Sequence, residues 1–357
     1  MSPVGQHSYE EISTQEASWR DAIAAIGTQR RAIAELVDVH ARDGIVFIGC
    51  GSTHCLAQFA APFFQRVTRI PCRAAPSSEL ALQTDSVVVP GTRPLVIALS
   101  RSGETSETIL AVETLRKNGS KALAISCYEN TPLAKACALT VAVKASQEES
   151  YAQTRSFSGM LMAVQMLAAV TAHNRALEEE LRQVPDLASD LVIRAREAAL
   201  PVAQDKSIRR ITYLGSGPLY GLAAEATVKM KEMSLSVAEA YHYMEFRHGP
   251  MSLVDEKHLI VGLLSSRMRD YELAVLRDLK KRYARVAVIT NRDQELHPEF
   301  DSVFELRASV LERSRAVLYM PYLQWLAYHR AMAKGLDPDR PRHVVMAIRL
   351  HGTEMSP

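Results

Sequence analysis

Four short stretches of this chain hold side chains that could do chemistry. Ser100-Arg101-Ser102-Gly103-Glu104-Thr105 is dense in hydroxyls and follows an apolar run, PLVIALS. If that run is a strand and the following ETILAVETLRKNG a helix, the stretch lies at a helix N-terminus, where backbone N–H groups and the helix dipole attract anions. Ser100, Ser102 and Thr105 would add hydroxyl donors, and Gly103 would let backbone approach a ligand. Such a nest suits the phosphate of a small phosphomonoester; the plainer alternative is that the hydroxyls only cap the helix. Gly49-Cys50-Gly51-Ser52-Thr53 sits at a second strand-to-helix turn. It lacks the third glycine of the dinucleotide fingerprint and the lysine of a P-loop. Alone it reads as a tight βα turn, as does its counterpart Gly215-Ser216-Gly217.

The third stretch carries Glu225, Lys229 and Glu232. Spacings of four and three put them on one face of a helix, and the plain reading is a solvated charged face. The fourth, AEAYHYMEFRHGP at 238–250, concentrates ionisable groups in what reads as a loop ending in Gly249-Pro250 and includes His248. A carboxylate and a histidine are what proton transfer at a carbon beside a carbonyl or amine requires. A lone loop histidine is more often structural.

The elements that must position these groups come in duplicate. Residues 45–51, IVFIGCG, and 211–217, ITYLGSG, are apolar runs ending in Gly-x-Gly, each followed by a helical pattern. Second apolar runs end at serine, PLVIALSRSG at 94–103 and HLIVGLLSSR at 258–267, and third runs follow, ALAIS at 122–126 and VAVIT at 286–290. Short apolar runs alternating with helical segments predict βαβ units around buried parallel sheets. The spacing predicts an α/β protein of two similar doubly wound domains rather than a solenoid. The expected division is a helical segment over 1–35, a first domain over 36–180, a helical connector over 181–200, a second domain over 201–345 and a tail over 346–357. Apolar positions such as Ile12, Trp19, Ile23, Ile26 and Ile33 mark the first segment as helical, and Leu318 to Ala333 reads as a late helix.

Composition narrows the function classes. The chain has 357 residues, 42 Lys+Arg against 40 Asp+Glu, and a net charge of +2, which disfavours a nucleic-acid binder working by bulk electrostatics. At 47% hydrophobic and 23% charged it has ordinary globular composition. No stretch approaches the ~20 apolar residues of a membrane span, and the polar start MSPVGQHSYEEISTQEASW shows no apolar signal core. The cysteines Cys50, Cys55, Cys72, Cys127 and Cys137 form no C-x-x-C pair. They fit reduced thiols of a cytoplasmic protein better than disulfides or a zinc site. No metal or redox cofactor is expected.

Together, GCGST at 49–53, SRSGET at 100–105, VKMKEMS at 228–234, EFRHGP at 245–250 and KGLDPDRPRH at 334–343 resemble the tandem sugar-isomerase (SIS) domain family. Within it they are most similar to the isomerase half of glutamine–fructose-6-phosphate aminotransferases and to free-standing glucosamine-6-phosphate deaminases. The match runs in order over nearly the whole chain. The resemblance implies two flavodoxin-like domains, a phosphosugar ligand and a homodimer with shared active sites. By similarity, the phosphate is held by the 100–105 loop and by the turn from Cys50 through Gly51 and Ser52 to Thr53. Glu232 moves a proton between C1 and C2 of the open-chain sugar, and Lys229 orients or polarises it. His248 assists ring opening from the neighbouring subunit. Tyr151 and Gln153, in EESYAQT at 148–154, fall where the family covers the sugar, in place of smaller residues of the aminotransferases.

Two departures from the family pattern bear on the reaction. No glutaminase segment with an N-terminal catalytic cysteine is expected in this chain. Met346, in HVVMAIRL, stands where the aminotransferases carry the lysine that forms a Schiff base with the ketose, and a thioether forms no imine. Lys334, before the Pro-rich turn, is not expected to replace it. The implied activity is an aminosugar-phosphate deaminase/isomerase. The alternatives are an aldose–ketose isomerase or fructosamine-6-phosphate deglycase using the same shuttle, or a non-enzymatic phosphosugar sensor. No nucleic-acid or membrane partner is expected.

Overall fold

The apolar runs become strands buried on both faces, and alternate residues go to different cores. In the first sheet Ile45, Phe47, Leu95, Ile97 and Leu99 join one hydrophobic cluster, whereas Val46, Ile48, Val96 and Ala98 join another on the opposite face. A period of two feeding two apolar layers is why these runs are continuous rather than alternating.

The computed structural model describes residues 3–292 and 294–348. Helices α1 (Gln6–Ser13), α2 (Gln15–Thr28) and α3 (Arg30–His40) open the chain. The first sheet region runs β1 (Ile45–Gly49), α4 (Ser52–Thr68), β2 (Cys72–Pro76), α5 (Ser77–Leu82), α6 (Thr84–Val87), β3 (Leu95–Ser100), α7 (Ser106–Lys117), β4 (Ala122–Ser126), α8 (Pro132–Ala136) and β5 (Leu139–Ala142). Helices α9 (Arg155–Thr171), α10 (Arg175–Gln183) and α11 (Ala188–Gln204) lead into the second. That region runs β6 (Arg210–Leu214), α12 (Leu219–Ser234), β7 (Val237–Tyr241), α13 (Tyr243–Phe246), β8 (His258–Leu263), α14 (Arg269–Lys280), β9 (Arg285–Thr290) and β10 (Ser302–Glu305), closed by α15 (Met320–Ala333).

Both sheets have five parallel strands, in the orders β2-β1-β3-β4-β5 and β10-β9-β8-β6-β7. The second, reversed, is the first with the strands renumbered, so the duplication seen in the residues is a duplication of topology. In each sheet the chain leaves its first strand to one side and returns to the other, creating a switch point between β1 and β3 and between β6 and β8. A crevice opens there beyond the strand ends.

Some expectations change. The stretch from Ala238 to Tyr241 is not loop: Val237–Tyr241 pairs with β6 in register Arg210↔Val237 to Leu214↔Tyr241. Its alternating charged residue, Glu239, suits an edge strand with one solvated face. The edge strands β2, β5, β7 and β10 carry no long apolar run and were not legible as strands. The join between the halves is helical from Arg175 to Gln204, with a 3₁₀ turn at Val184–Leu187. Of the expected tail, residues 349–357 lie outside the described residues.

One continuous core spans both halves. It takes in Trp19 and Ile23 of α2, Phe59 and Phe64 of α4, Phe157 and Leu161 of α9, Leu222 and Met230 of α12, and Leu323 and Trp325 of α15. Helix α12 crosses α4 closely. A Cβ on Gly221 would stand 2.4 Å from the Phe59 nitrogen and 2.7 Å from the Cys55 oxygen. Among the described residues no helix is long and apolar enough to cross a membrane.

Candidate active site

The α4–α12 crossing carries the third charged stretch to the switch point of the first sheet. A cleft of ≈ 260 Å³ opens there. Cys50, Gly51 and Ser52 line it from the β1–α4 turn, and Arg101 and Thr105 from the β3–α7 loop. Tyr151 and Gln153 form another wall, Lys229 and Glu232 come from α12, and His343 to Ile348 pass across it. One half therefore presents two helix N-termini and the other a carboxylate–ammonium pair.

Lys229 and Glu225 are fully buried, so the solvated charged face expected from their spacing is overturned. Tertiary docking against α4 buries that face. Lys229 Nζ lies 2.6 Å from Glu232 Oε2 and 3.5 Å from Glu225 Oε1. Burial alone would lower the lysine pKa, but the two carboxylates outweigh it and hold it raised. Glu225 is pushed up to about 8: burial raises it, Lys229 opposes and Glu232 adds. The ammonium thus faces one carboxylate inside the protein and one, Glu232, a quarter exposed to the cleft.

The phosphate-type loops divide into residues that face the cleft and residues that build it. Ser100 Oγ accepts from Gly103 N at 3.0 Å and Ser102 Oγ accepts from Glu104 N at 3.2 Å. Both hydroxyls shape the loop and neither lines the cleft, although each retains an O–H to donate. Gly103 has another reason to be glycine than ligand approach. Its φ is +65° and an added Cβ would stand 2.2 Å from Thr131 Oγ1. Thr53 is a turn closer: its Oγ1 accepts from Cys50 N and donates to Cys50 O, both at 2.9 Å. Thr105 stands at the N-cap of α7 with no side-chain cap bond, so its hydroxyl is not the helix cap. Burial pushes the Cys50 thiol up, away from a reactive thiolate.

Arg101 is the buried cation of this half. Its Nη1 donates to Ser150 O at 3.2 Å and lies 3.4 Å from Glu148 Oε2, and its Nη2 donates to Met346 O at 3.2 Å. Glu148 Oε1 in turn accepts from Thr154 N, Thr154 Oγ1 and Ser156 N. Gln153 lines the cleft, and its side-chain oxygen is buried without a hydrogen-bond partner.

Two residues singled out in the sequence fall elsewhere. His248 is exposed and does not line the cleft of its own chain. Lys334 donates to Ser234 O at 2.6 Å and Leu235 O at 3.2 Å, closing the C-terminal end of α12. Met346 does line the cleft. Beyond Met346, which the resemblance had placed at the substrate, the cleft-lining role of the 343–348 segment was not predicted, since the segment has no periodicity. Among the described residues no group of three or more His, Cys, Asp or Glu side chains is placed to hold a metal ion.

The second-half counterpart of the 100–105 loop is filled from within. Ser265 N donates to Glu272 Oε2 at 2.7 Å and Ser265 Oγ to Glu272 Oε1 at 2.9 Å, while Ser266 N donates to Glu312 Oε2. Carboxylates of the chain itself thus satisfy the amides of Ser265 and Ser266.

Comparison with known proteins agrees with this duplicated architecture. The pattern of the SIS domain family matches residues 39–170 and 206–331. A glutamine–fructose-6-phosphate aminotransferase (isomerizing) of Thermococcus kodakarensis is 29% identical over 350 residues, covering 95% of this chain and 57% of the relative. The chain thus spans little more than half the length of the curated relatives it matches. Among solved structures, the C-terminal domain of glucosamine-fructose-6-phosphate aminotransferase from Francisella tularensis superposes with a TM-score of 0.84 at 26% identity, covering 94% of this chain and 98% of that one. Tagatose-6-phosphate ketose/aldose isomerase from Escherichia coli gives 0.85 at 25%, covering 94% and 95%. Glucosamine-6-phosphate deaminase from Thermotoga maritima gives 0.74 at 27%, covering 92% and 100%. With the family pattern present twice, once around each of two like-ordered parallel sheets, the chain belongs to the SIS domain family.

Proposed function

We propose that this chain is a phosphosugar isomerase that acts as an aminosugar-phosphate deaminase, converting glucosamine 6-phosphate and water to fructose 6-phosphate and ammonia. One observation carries the reading: the Glu232 carboxylate, 2.6 Å from the buried Lys229 ammonium, shares a cleft with the hydroxyl-bearing turns at Ser52 and Thr105. The phosphate would sit on those turns, where two helix N-termini and hydroxyl donors favour an anion. The sugar would extend toward α12 under Tyr151 and Gln153. In the open-chain form Glu232 takes the proton from C2 and returns it at C1. That converts the aldehyde bearing a C2 amine into a ketose imine, which water hydrolyses to the ketone and ammonia. Lys229 holds the carboxylate in place and donates toward the C1 or C2 heteroatoms as charge develops.

A second reading, aldose–ketose isomerisation without ammonia release, is favoured by the similarity to tagatose-6-phosphate ketose/aldose isomerase, at a TM-score of 0.85 and 25% identity, and is compatible with Met346. A cleft lined by a thioether in place of an amine forms no imine with a ketose, and a hydroxy-aldehyde needs none for the same proton shuttle. The test is product analysis with glucosamine 6-phosphate. The wild type is expected to release ammonia and fructose 6-phosphate in equal amounts, and Glu232→Gln to lose about 10²–10⁴-fold in kcat. An inert wild type, or a variant as fast as wild type, would sink the deaminase reading. Turnover of a neutral hexose phosphate only would establish the second.

A further inference from the structure

Glu11 and Asp339 line no part of the cleft, yet each is nearly inaccessible, at 3% and 5% exposure. A buried carboxylate is costly unless its hydrogen bonds are made, so the bonds they make show what they hold. Glu11, on α1, accepts from Glu149 N at 2.6 Å and Ser150 N at 3.1 Å through Oε1, and from the Ser150 hydroxyl through Oε2. Asp339 lies in the turn that leads into the 343–348 segment. It accepts from Ser8 N at 2.7 Å and His7 N at 3.1 Å, the otherwise unpaired first-turn donors of α1. Its own carbonyl accepts from Tyr151 N at 2.8 Å.

The two walls of the cleft that come from loops are therefore tied to one short helix. The 148–154 wall is clasped at Glu149 and Ser150, and Ser150 is the residue whose carbonyl receives Arg101. The 343–348 wall is anchored just upstream, and its Met346 carbonyl receives the other arm of the same guanidinium. Helix α1 lies outside both matched stretches of the family pattern, 39–170 and 206–331.

We propose that Glu11 and Asp339 are positioning residues: together with α1 they lock the 148–154 loop and the 343–348 segment into the walls that hold Arg101, Tyr151 and Gln153 against the substrate. The inference rests on the cleft being the phosphosugar site. Bonds from backbone N–H groups to a carboxyl group are directional, and here two of them and a hydroxyl converge on Glu11 and two more on Asp339.

The test uses the full chain and two independent readouts. The first is hydrogen–deuterium exchange without ligand. Glu11→Ala and Asp339→Ala are expected to speed exchange of 148–154 by about tenfold or more, with β1, β3 and β6 unchanged. Glu11→Gln, which keeps one carbonyl acceptor for the amides of Glu149 and Ser150, is expected to fall between Ala and wild type. It also serves should Glu11→Ala fail to fold. Unaltered exchange at 148–154 in these variants, or an equal rise across the sheets, would overturn the proposal. The second readout is steady-state ammonia release from glucosamine 6-phosphate, where KM is expected to rise about tenfold while kcat stays within about threefold. A fall in kcat at constant KM would also overturn it. A wild type inert toward glucosamine 6-phosphate would count against the function proposed above and not against the clasp, which the exchange data judge separately.

Discussion

At the scale of residues, the charged trio on α12 shows how burial changes what a spacing means. Glu225, Lys229 and Glu232 share a helix face, and that much follows from spacings of four and three. That the face is sealed against α4 does not. The consequence is measurable. Glu225 is raised from 4.5 to about 8, by burial first, with Lys229 opposing and Glu232 adding. Between those values the folded chain keeps a proton that the unfolded chain has lost, so the stability from this group is complete below the lower value and is lost as pH rises through the upper one. The melting temperature is expected to fall as pH rises from about 5 to about 9. In Glu225→Gln, which has no proton to lose, that slope should flatten, and thermal unfolding of both proteins across the range checks it. An unchanged slope would place the titration elsewhere. Cys50 and Thr53 show the reverse case. Their turn was legible as a strand-to-helix junction, but only the folded structure separates Thr53, which closes the turn, from Cys50, which lines the cleft.

At the scale of elements, the site depends on two helices from different halves lying unusually close. Gly221 lets α12 approach the backbone of α4 at Cys55 and Phe59, which brings Lys229 and Glu232 to the β1–α4 turn. Gly221→Ala would place a methyl group where backbone atoms stand 2.4 Å and 2.7 Å away. Neither is a flexible side chain that could yield. The variant is expected to lose about 1–3 kcal/mol, read by urea unfolding, with lower activity because the two halves of the cleft separate. Unchanged stability would mean that the helices slide apart without cost. The central strands β1, β3, β4, β6, β8 and β9 were legible because burial on both faces demands continuous apolar runs. The edge strands were not, because one-sided burial tolerates charges such as Glu239.

At the scale of the whole molecule, each chain carries two copies of one fold, and in the second the loop after β8 gives its amides to Glu272 and Glu312. His248 is exposed and does not line the cleft of its own chain. A ring-opening role for it therefore requires a second copy, and we propose a homodimer whose sites are completed in trans. Mixing inactive Glu232→Gln and His248→Ala chains tests this. A shared site gives hybrid dimers with one intact site, and activity should recover to roughly a quarter of wild type. No recovery after subunit exchange would confine His248 to its own chain or to a structural role.

The residue pattern alone determined the duplicated α/β architecture, the two strand-to-helix turns and the helix face bearing Lys229 and Glu232. All of these are local periodicities or short motifs written into consecutive residues. Only the tertiary structure decided that the face is buried, that 343–348 forms a wall, that Glu11 and Asp339 clasp the loops, and that Glu272 and Glu312 pair with the loop after β8 in the second half. Those outcomes depend on contacts between residues far apart in the chain, such as Glu11 with Ser150 and Ser8 with Asp339. No local pattern encodes such contacts, because the partner's position is set by the packing of everything between.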